Sequence, residues 1–175
     1  MNIRLLIVSI ILLPITVQAE KLQNSSLCGA EENVVFSCSA KHKIVSLCAT
    51  KELTAKYGQL IYRYGQYNQT PELTYANELN LPGKVFSTYF ENWSKGGYAA
   101  VTFSRGEFAY TIYNRRAVYE IDNRSNGGGI KIYRKEELIS DLWCEGASIE
   151  DNIWRNLRDK EFPETAIPVL YIPKS

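Results

Sequence analysis

Residues 97–114 read GYAAVTFSRGEFAYTIYN, and their alternation sets the fold class. Before the turn, Val101 and Phe103 share one face while Thr102 and Ser104 share the other. Beyond it, Phe108, Tyr110 and Ile112 line one side, with Ala109, Thr111 and Tyr113 opposite. A period of two is what a half-buried antiparallel sheet requires, because successive side chains point to opposite faces. Arg105-Gly106 between the two runs is a tight-hairpin signal.

Three more pairs of runs follow the same grammar. VVFSCSA (residues 34–40) and KIVSLCAT (43–50) flank a turn at Lys41-His42. QLIYRYG (59–65) and ELTYA (72–76) flank QYNQTP, where Pro71 ends the connection. AVYEID (117–122) and GIKIYR (129–134) flank the Gly/Asn-rich NRSNGG. PGKVFSTYFENWS (82–94) is either a further strand or an ordered loop. Nearer the C-terminus, EELISDLW (136–143) and SIEDNIWRNL (148–157) carry helix-like spacing, with Ile153, Trp154 and Leu157 as an apolar stripe packed on the sheet. Ser148 followed by Asp151 resembles a capping arrangement. IPVLYIPKS (167–175) adds a short edge strand bounded by prolines. The predicted fold is all-β, an antiparallel barrel or a sandwich of about eight strands built from hairpins, with short C-terminal helices.

The first residues bear on compartment. MNIR supplies a positive start, LLIVSIILLPITV an apolar run, and VQA small residues before a cleavage point after Ala19. The run is short for a span, which needs about 20 apolar residues. This predicts a signal peptide over residues 1–19, a single disulfide-stabilised β domain over residues 20–175, and a location in the periplasm or outside the cell. No Cys follows the run, so lipoprotein processing is not indicated, and no second stretch approaches spanning length. Only Arg4 leaves with the leader, so 19 basic residues balance 19 acidic ones. A neutral chain without a basic face gives a nucleic-acid partner no electrostatic support. Residues 20–27, EKLQNSSL, read as a loose polar arm.

Four cysteines stand at 28, 38, 48 and 144. An even number in an exported chain implies disulfides, with three connectivities. A metal site lacks support, since there is no C-x-x-C and the one histidine is His42; a thioredoxin-type redox centre fails for the same reason. With Lys41-His42 as a two-residue turn, Ala40 faces Lys43, Cys38 faces Val45, Phe36 faces Leu47 and Val35 faces Cys48. Cys38 and Cys48 then point to opposite faces of the ribbon. The favoured pairs are Cys28–Cys48 at the open end of the hairpin and Cys38–Cys144 to the C-terminal segment.

Chemistry is scarce. A Ser-His-Asp or Cys-His set must use His42, which sits between two lysines in a turn, a poor place to orient a base. NGGGI (126–130) lacks the Lys-Ser/Thr of a phosphate loop and reads as a hairpin turn. Sequons at Asn24, Asn68, Asn92 and Asn123 matter only in a eukaryotic secretory pathway. Glu31, Glu32, Glu72, Glu91, Glu107 and Glu120 are the carboxylates from which a glycan hydrolase would draw its pair. No cofactor is indicated. The best candidate binding surface is YRYGQYNQTPELTY, represented by Tyr62, Arg63, Tyr64, Tyr67 and Glu72, because Tyr and Arg most often anchor interfaces. The alternative is that the tyrosines complete the core edge and Arg63 pairs with Glu72 across the hairpin.

CGAEENVVFSC (28–38), KIVSLC (43–48), LIYRYGQ (60–66), PELTY (71–75) and the aromatic hairpin GGYAAVTFSRGEFAYTIYN (96–114) together resemble an uncharacterised family of small exported proteins from Gram-negative bacteria. The resemblance implies a periplasmic location and an all-β fold. It implies no known activity, so no catalytic residue is carried over, and the segment after Gly146 lies outside it. A more distant likeness, in size, export and disulfides only, is to periplasmic lysozyme inhibitors; the short serine-glycine-tyrosine motif associated with some of those is not evident. The expected function is non-enzymatic binding of a cell-envelope protein, as by an inhibitor or immunity-type factor. One alternative is a small-ligand barrel with Tyr62, Tyr64 and Tyr110 at its mouth. The other is a carboxylate-dependent glycan hydrolase.

Overall fold

The computed structural model describes residues 26–40, 42–117, 126–144 and 150–165. Within them lie strands β1 (Asn33–Ala40), β2 (Lys43–Ala49), β3 (Leu60–Gly65), β4 (Leu73–Tyr75), β5 (Ser87–Trp93), β6 (Gly96–Arg105), β7 (Phe108–Ala117), β8 (Asn126–Arg134), β9 (Glu137–Trp143) and β10 (Glu150–Asp151). Two short helices accompany them, α1 (Pro82–Val85) and α2 (Ile153–Leu157). The strands form two antiparallel sheets, ordered β10-β1-β2-β3-β4 and β5-β6-β7-β8-β9. The sheets do not close into a barrel; of the two predicted architectures, the chain adopts the sandwich.

The inward faces are those that alternation marked. Phe36, Cys38, Val45, Leu47 and Tyr62 from the first sheet meet Val101, Phe103, Ile112 and Ile130 from the second, all almost fully buried. An aromatic column ties the layers: Phe103 lies 5.1 Å from Tyr62, 5.0 Å from Tyr75 and 4.8 Å from Tyr110, ring centre to ring centre. Such contacts add about 0.5–1.5 kcal/mol each beyond the area they bury. Helix α2 packs Ile153 and Leu157 into the same core, and Trp154 sits 4.9 Å from the Phe90 ring. The free edge of β5 is covered by residues 163–165: the Thr88 amide donates to the Pro163 carbonyl at 2.9 Å, and the Thr165 amide donates to the Thr88 carbonyl at 3.0 Å.

Both disulfides pair as the hairpin register requires, Cys28–Cys48 with Cα atoms 5.4 Å apart and Cys38–Cys144 with Cα atoms 5.6 Å apart. The register itself holds from Ala40↔Lys43 to Phe36↔Leu47 and then shifts. Cys48 lies opposite Val34, not Val35, because Val35 forms a β-bulge. The Val35 carbonyl accepts the Asn152 amide at 2.8 Å, one residue beyond the Phe36–Asp151 pair of β1 and β10, and the Asn152 side-chain amide donates to the Val34 carbonyl at 3.3 Å. The strand thus departs from regular pairing where the chain returns to it before α2.

Three other expectations are corrected, and one open choice falls to a strand. The turn of the 97–114 hairpin is Gly106-Glu107, since Arg105 pairs with Phe108, and Gly106 takes the left-handed φ of +60° that the turn demands. Residues 82–94 supply both α1 and β5. The segment 136–143 is not helical: Glu137–Trp143 form β9, paired with β8 through a turn at Lys135-Glu136. Both turn residues have positive φ, 49° and 70°, a conformation usually given to Asn-Gly, so no turn signal was visible. Finally, α2 starts after Asn152 without a side-chain cap, and only its last turns match the expected helix. The leader, most of the AVYEID run, Ser148, and the tail at 167–175 lie outside the described residues.

Candidate functional site

The five residues of the candidate surface do not come together. Tyr62 points into the sandwich, 2% exposed, and burial pushes its phenol far above the usual tyrosine range. Arg63, its neighbour in β3, faces the opposite way and forks onto the Glu32 carboxylate, with its Nη2 donating to Oε1 at 2.8 Å. It also donates to the Leu27 carbonyl at 3.2 Å. The Arg63 partner is therefore Glu32, not Glu72; Glu72 pairs instead with Lys43, whose Nζ also stands 5.6 Å above the Tyr64 ring. Of the five, Tyr67 alone is a largely exposed aromatic, at 56%. Period two correctly separated Tyr62 from Arg63, but each face is already occupied by the protein's own residues.

The barrel-mouth arrangement of Tyr62, Tyr64 and Tyr110 is likewise overturned. Tyr62 and Tyr110 are 6.0 Å apart in the packed layer between two open sheets, so they line no mouth. The carboxylates are dispersed. Glu31 meets Lys51 at 2.7 Å, Glu107 meets Arg134 at 2.9 Å, and Glu91 accepts a hydrogen bond from Tyr89 at 2.9 Å. Glu120 lies outside the described residues. His42 is exposed in its turn. Cys28, Cys48 and Glu32 approach one another closely enough to suggest metal ligands, but the two sulfurs are bonded to each other and Glu32 is held by Arg63. That guanidinium keeps the Glu32 carboxyl below the usual carboxylate range.

Two features that alternation did not signal stand out at one end of the molecule. The first is the loop over residues 76–81 between β4 and α1. Its backbone is tied by its own asparagines: the Leu79 amide donates to the Asn77 side-chain oxygen at 3.0 Å, and the Asn77 amide donates to that of Asn80 at 3.2 Å. The Asn80 amide then closes onto the Asn77 carbonyl at 3.1 Å. Side-chain oxygens that mimic a backbone turn in this way fix a loop without burying it. Leu79 at the tip is 92% exposed and Leu81 is 51% exposed. The loop is anchored where the Gly83 amide donates to the Ala55 carbonyl at 2.8 Å, and a β-carbon at Gly83 would lie 2.6 Å from that of Ala55. Only glycine allows this approach. Tyr57, 64% exposed, projects from the neighbouring loop.

The second feature is a cleft of about 430 Å³ beside α1. Lys84 and Val85 of α1, Tyr75 of β4 and Thr165 form its walls, with Ser87, Thr102, Phe103, Ser104, Ala109 and Thr111 supplying the rest. Ser87, Thr102 and Thr111 are directly opposed across β5, β6 and β7, so their hydroxyls form a row on one face of the sheet. None of the carboxylates named above lines it. Compared with protein-family models, with curated proteins and with solved structures, the chain matches none.

Proposed function

We propose that the protein is an exported, non-enzymatic binding protein that presents the loop at residues 76–81 to an enzyme of the cell envelope, as an inhibitor or immunity-type factor does. The observation that carries this reading is Leu79: a large apolar side chain, 92% exposed, at the tip of a loop whose backbone is already fixed by Asn77 and Asn80. A rigid loop loses little conformational freedom on docking, which is how preorganised binders gain affinity. Leu81 and Tyr57 extend the apolar surface around that tip. Export is supported by the leader pattern, by the likeness to small exported Gram-negative proteins, and by two disulfides, bonds that persist in oxidising compartments such as the periplasm. Among the described residues no helix is long and apolar enough to cross a membrane.

The test is inhibition of a panel of lysozymes and peptidoglycan amidases by the protein and by its Leu79→Asp variant. The reading expects one enzyme class to be inhibited. It also expects the variant to bind at least about 30-fold more weakly, or about 2 kcal/mol, as for an interface hot spot. The unfolding midpoint should not move, because an exposed leucine contributes little to the core. Inhibition of no enzyme, or equal inhibition by the variant, overturns the proposal.

A further inference from the structure

Six of the ten residues that line the cleft beside α1 carry hydroxyls. Its floor is the hydroxyl row Ser87, Thr102 and Thr111, with Ser104 one step further along β6. A Ser or Thr hydroxyl both donates and accepts, so a row of them is matched by a ligand whose own groups do the same, which is to say by alcohols. One cation, Lys84, stands at the rim, and among the described residues it forms no ion pair. Past Thr111 the row runs to Lys131, whose ammonium stands 5.3 Å above the Tyr113 ring and lines no part of the cleft, and then to Asp141, which accepts a hydrogen bond from the Tyr113 hydroxyl at 3.1 Å. The Tyr75 ring forms an apolar wall, held in place by its stack on Phe103 and by its hydroxyl donating to the Ser104 carbonyl at 2.8 Å. At about 430 Å³ the cleft falls within the range of small-molecule sites.

From this arrangement we infer that the cleft binds a small polyhydroxylated carboxylate, a sugar acid, with its carboxylate on Lys84, its hydroxyls on the half-buried Ser87 and Thr102 beside the buried Thr111, and its C–H face against Tyr75. A single ammonium matches one negative charge. A phosphate would call for more than one cation, and Lys84 is the one cation among the residues that line the cleft. The inference is independent of the loop's role, since it concerns the isolated protein and needs no enzyme partner.

Titration of the oxidised protein with glucuronate, glucose and inorganic phosphate, followed by amide NMR shifts, tests it. Glucuronate should move the amides of Ser87, Thr102 and Thr111 and saturate with a Kd of about 1 mM or tighter. Glucose should bind roughly tenfold more weakly, the loss expected when a charge-assisted hydrogen bond is missing. Lys84→Met should weaken glucuronate by roughly tenfold and leave glucose unchanged. Thr102→Val, which keeps the shape, should weaken both sugars by about threefold or more. Lys84 is exposed, so its variant keeps the native spectrum elsewhere. The inference is overturned if glucuronate leaves the three amides unmoved, if Lys84→Met binds it as well as the parent, or if phosphate binds at the same residues as tightly as glucuronate.

Discussion

The outward faces of the two sheets are finished in opposite ways. On the β1–β4 sheet that face carries Ser37 and Ser46 in hydrogen-bond contact at 3.0 Å, and an N-terminal arm, residues 27–32, is fastened over it. The fastenings are the Cys28–Cys48 bond, the Leu27 amide donating to the Ser46 hydroxyl at 2.9 Å, and the Arg63–Glu32 fork. On the β5–β9 sheet the face is aromatic. Tyr98 and Tyr113 stack 5.8 Å apart and nearly parallel, Tyr89 meets the edge of Tyr98, and Trp143 lies 6.3 Å from Tyr113. Lys131 stands 5.3 Å above the Tyr113 ring. The first face is secured by directional bonds that fix one segment in one place. The second is secured by rings packing on rings, and beside them the hydroxyl row is left to line a cleft.

The largest effects should come from the disulfides, and they should differ. Cys38–Cys144 joins the two sheets across a sequence separation of 106, whereas Cys28–Cys48 spans 20 and fastens only the arm. On chain entropy, removing the first by Cys38→Ala and Cys144→Ala should cost about 4–5 kcal/mol, and removing the second by the matching pair about 3 kcal/mol. Denaturant unfolding of the two double variants measures the difference. If loss of the Cys28–Cys48 bond proves the more costly, the arm is part of the core and the contrast between the faces fails. Single substitutions check the pairing: Cys38→Ser should free the Cys144 thiol, and Cys48→Ser that of Cys28.

Much of this architecture could be read from the residues, and the failures share a cause. The hairpins of β1–β2, β3–β4 and β6–β7 were legible because local alternation and turn residues agree with the tertiary role. The same alternation placed Cys38 and Cys48 on opposite faces and so fixed their partners. What failed depends on distant contacts or on residues acting against their usual preference. The Val35 bulge answers to Asn152, 118 positions from Val34. Strand β9 follows a turn of Lys135 and Glu136, residues with no preference for positive φ. Period two splits Tyr62 from Arg63 without saying which face turns inward, so the residues alone leave Tyr62 open between the core edge, where the fold puts it, and a binding surface. Leu79 and Leu81 stand in no alternating run, and only the fold puts them on a projecting loop. The cleft was invisible because its hydroxyls come from three strands brought into register.

A smaller effect should follow from the arm's ion pair, which tests whether its directional bonds matter beyond the disulfide. Both side chains are mostly buried, 18% and 17% exposed, so Arg63→Met strands the Glu32 carboxylate and the Leu27 carbonyl and should cost about 2 kcal/mol at neutral pH. The cost depends on pH in a defined direction. Arg63 holds the Glu32 carboxyl below its unfolded value, so near that value the unfolded chain binds more protons than the folded one. The pair's contribution is thus full above about pH 5 and fades as pH falls through the lowered folded value. The stability gap between parent and variant should narrow on acidification. A gap that stays constant from pH 7 to about pH 3 would mean that the charge is not what holds the arm.

The smallest predicted change lies on the aromatic face and has the opposite sign. The Tyr98 hydroxyl is buried and, among the described residues, has no hydrogen-bond partner; burial also pushes its phenol well above the usual range. Its stacking neighbour Tyr113 donates to Asp141 at 3.1 Å. If this face is held by ring packing, Tyr98→Phe keeps the packing, removes an unsatisfied polar group and should stabilise the fold by about 0.5–1 kcal/mol. Tyr113→Phe removes a satisfied bond and should cost about 1 kcal/mol. Thermal unfolding of the two variants separates packing from polar contacts on the same pair of rings. Destabilisation by Tyr98→Phe would show that its hydroxyl is bonded, and the aromatic face would then be held, like the other, by directional contacts.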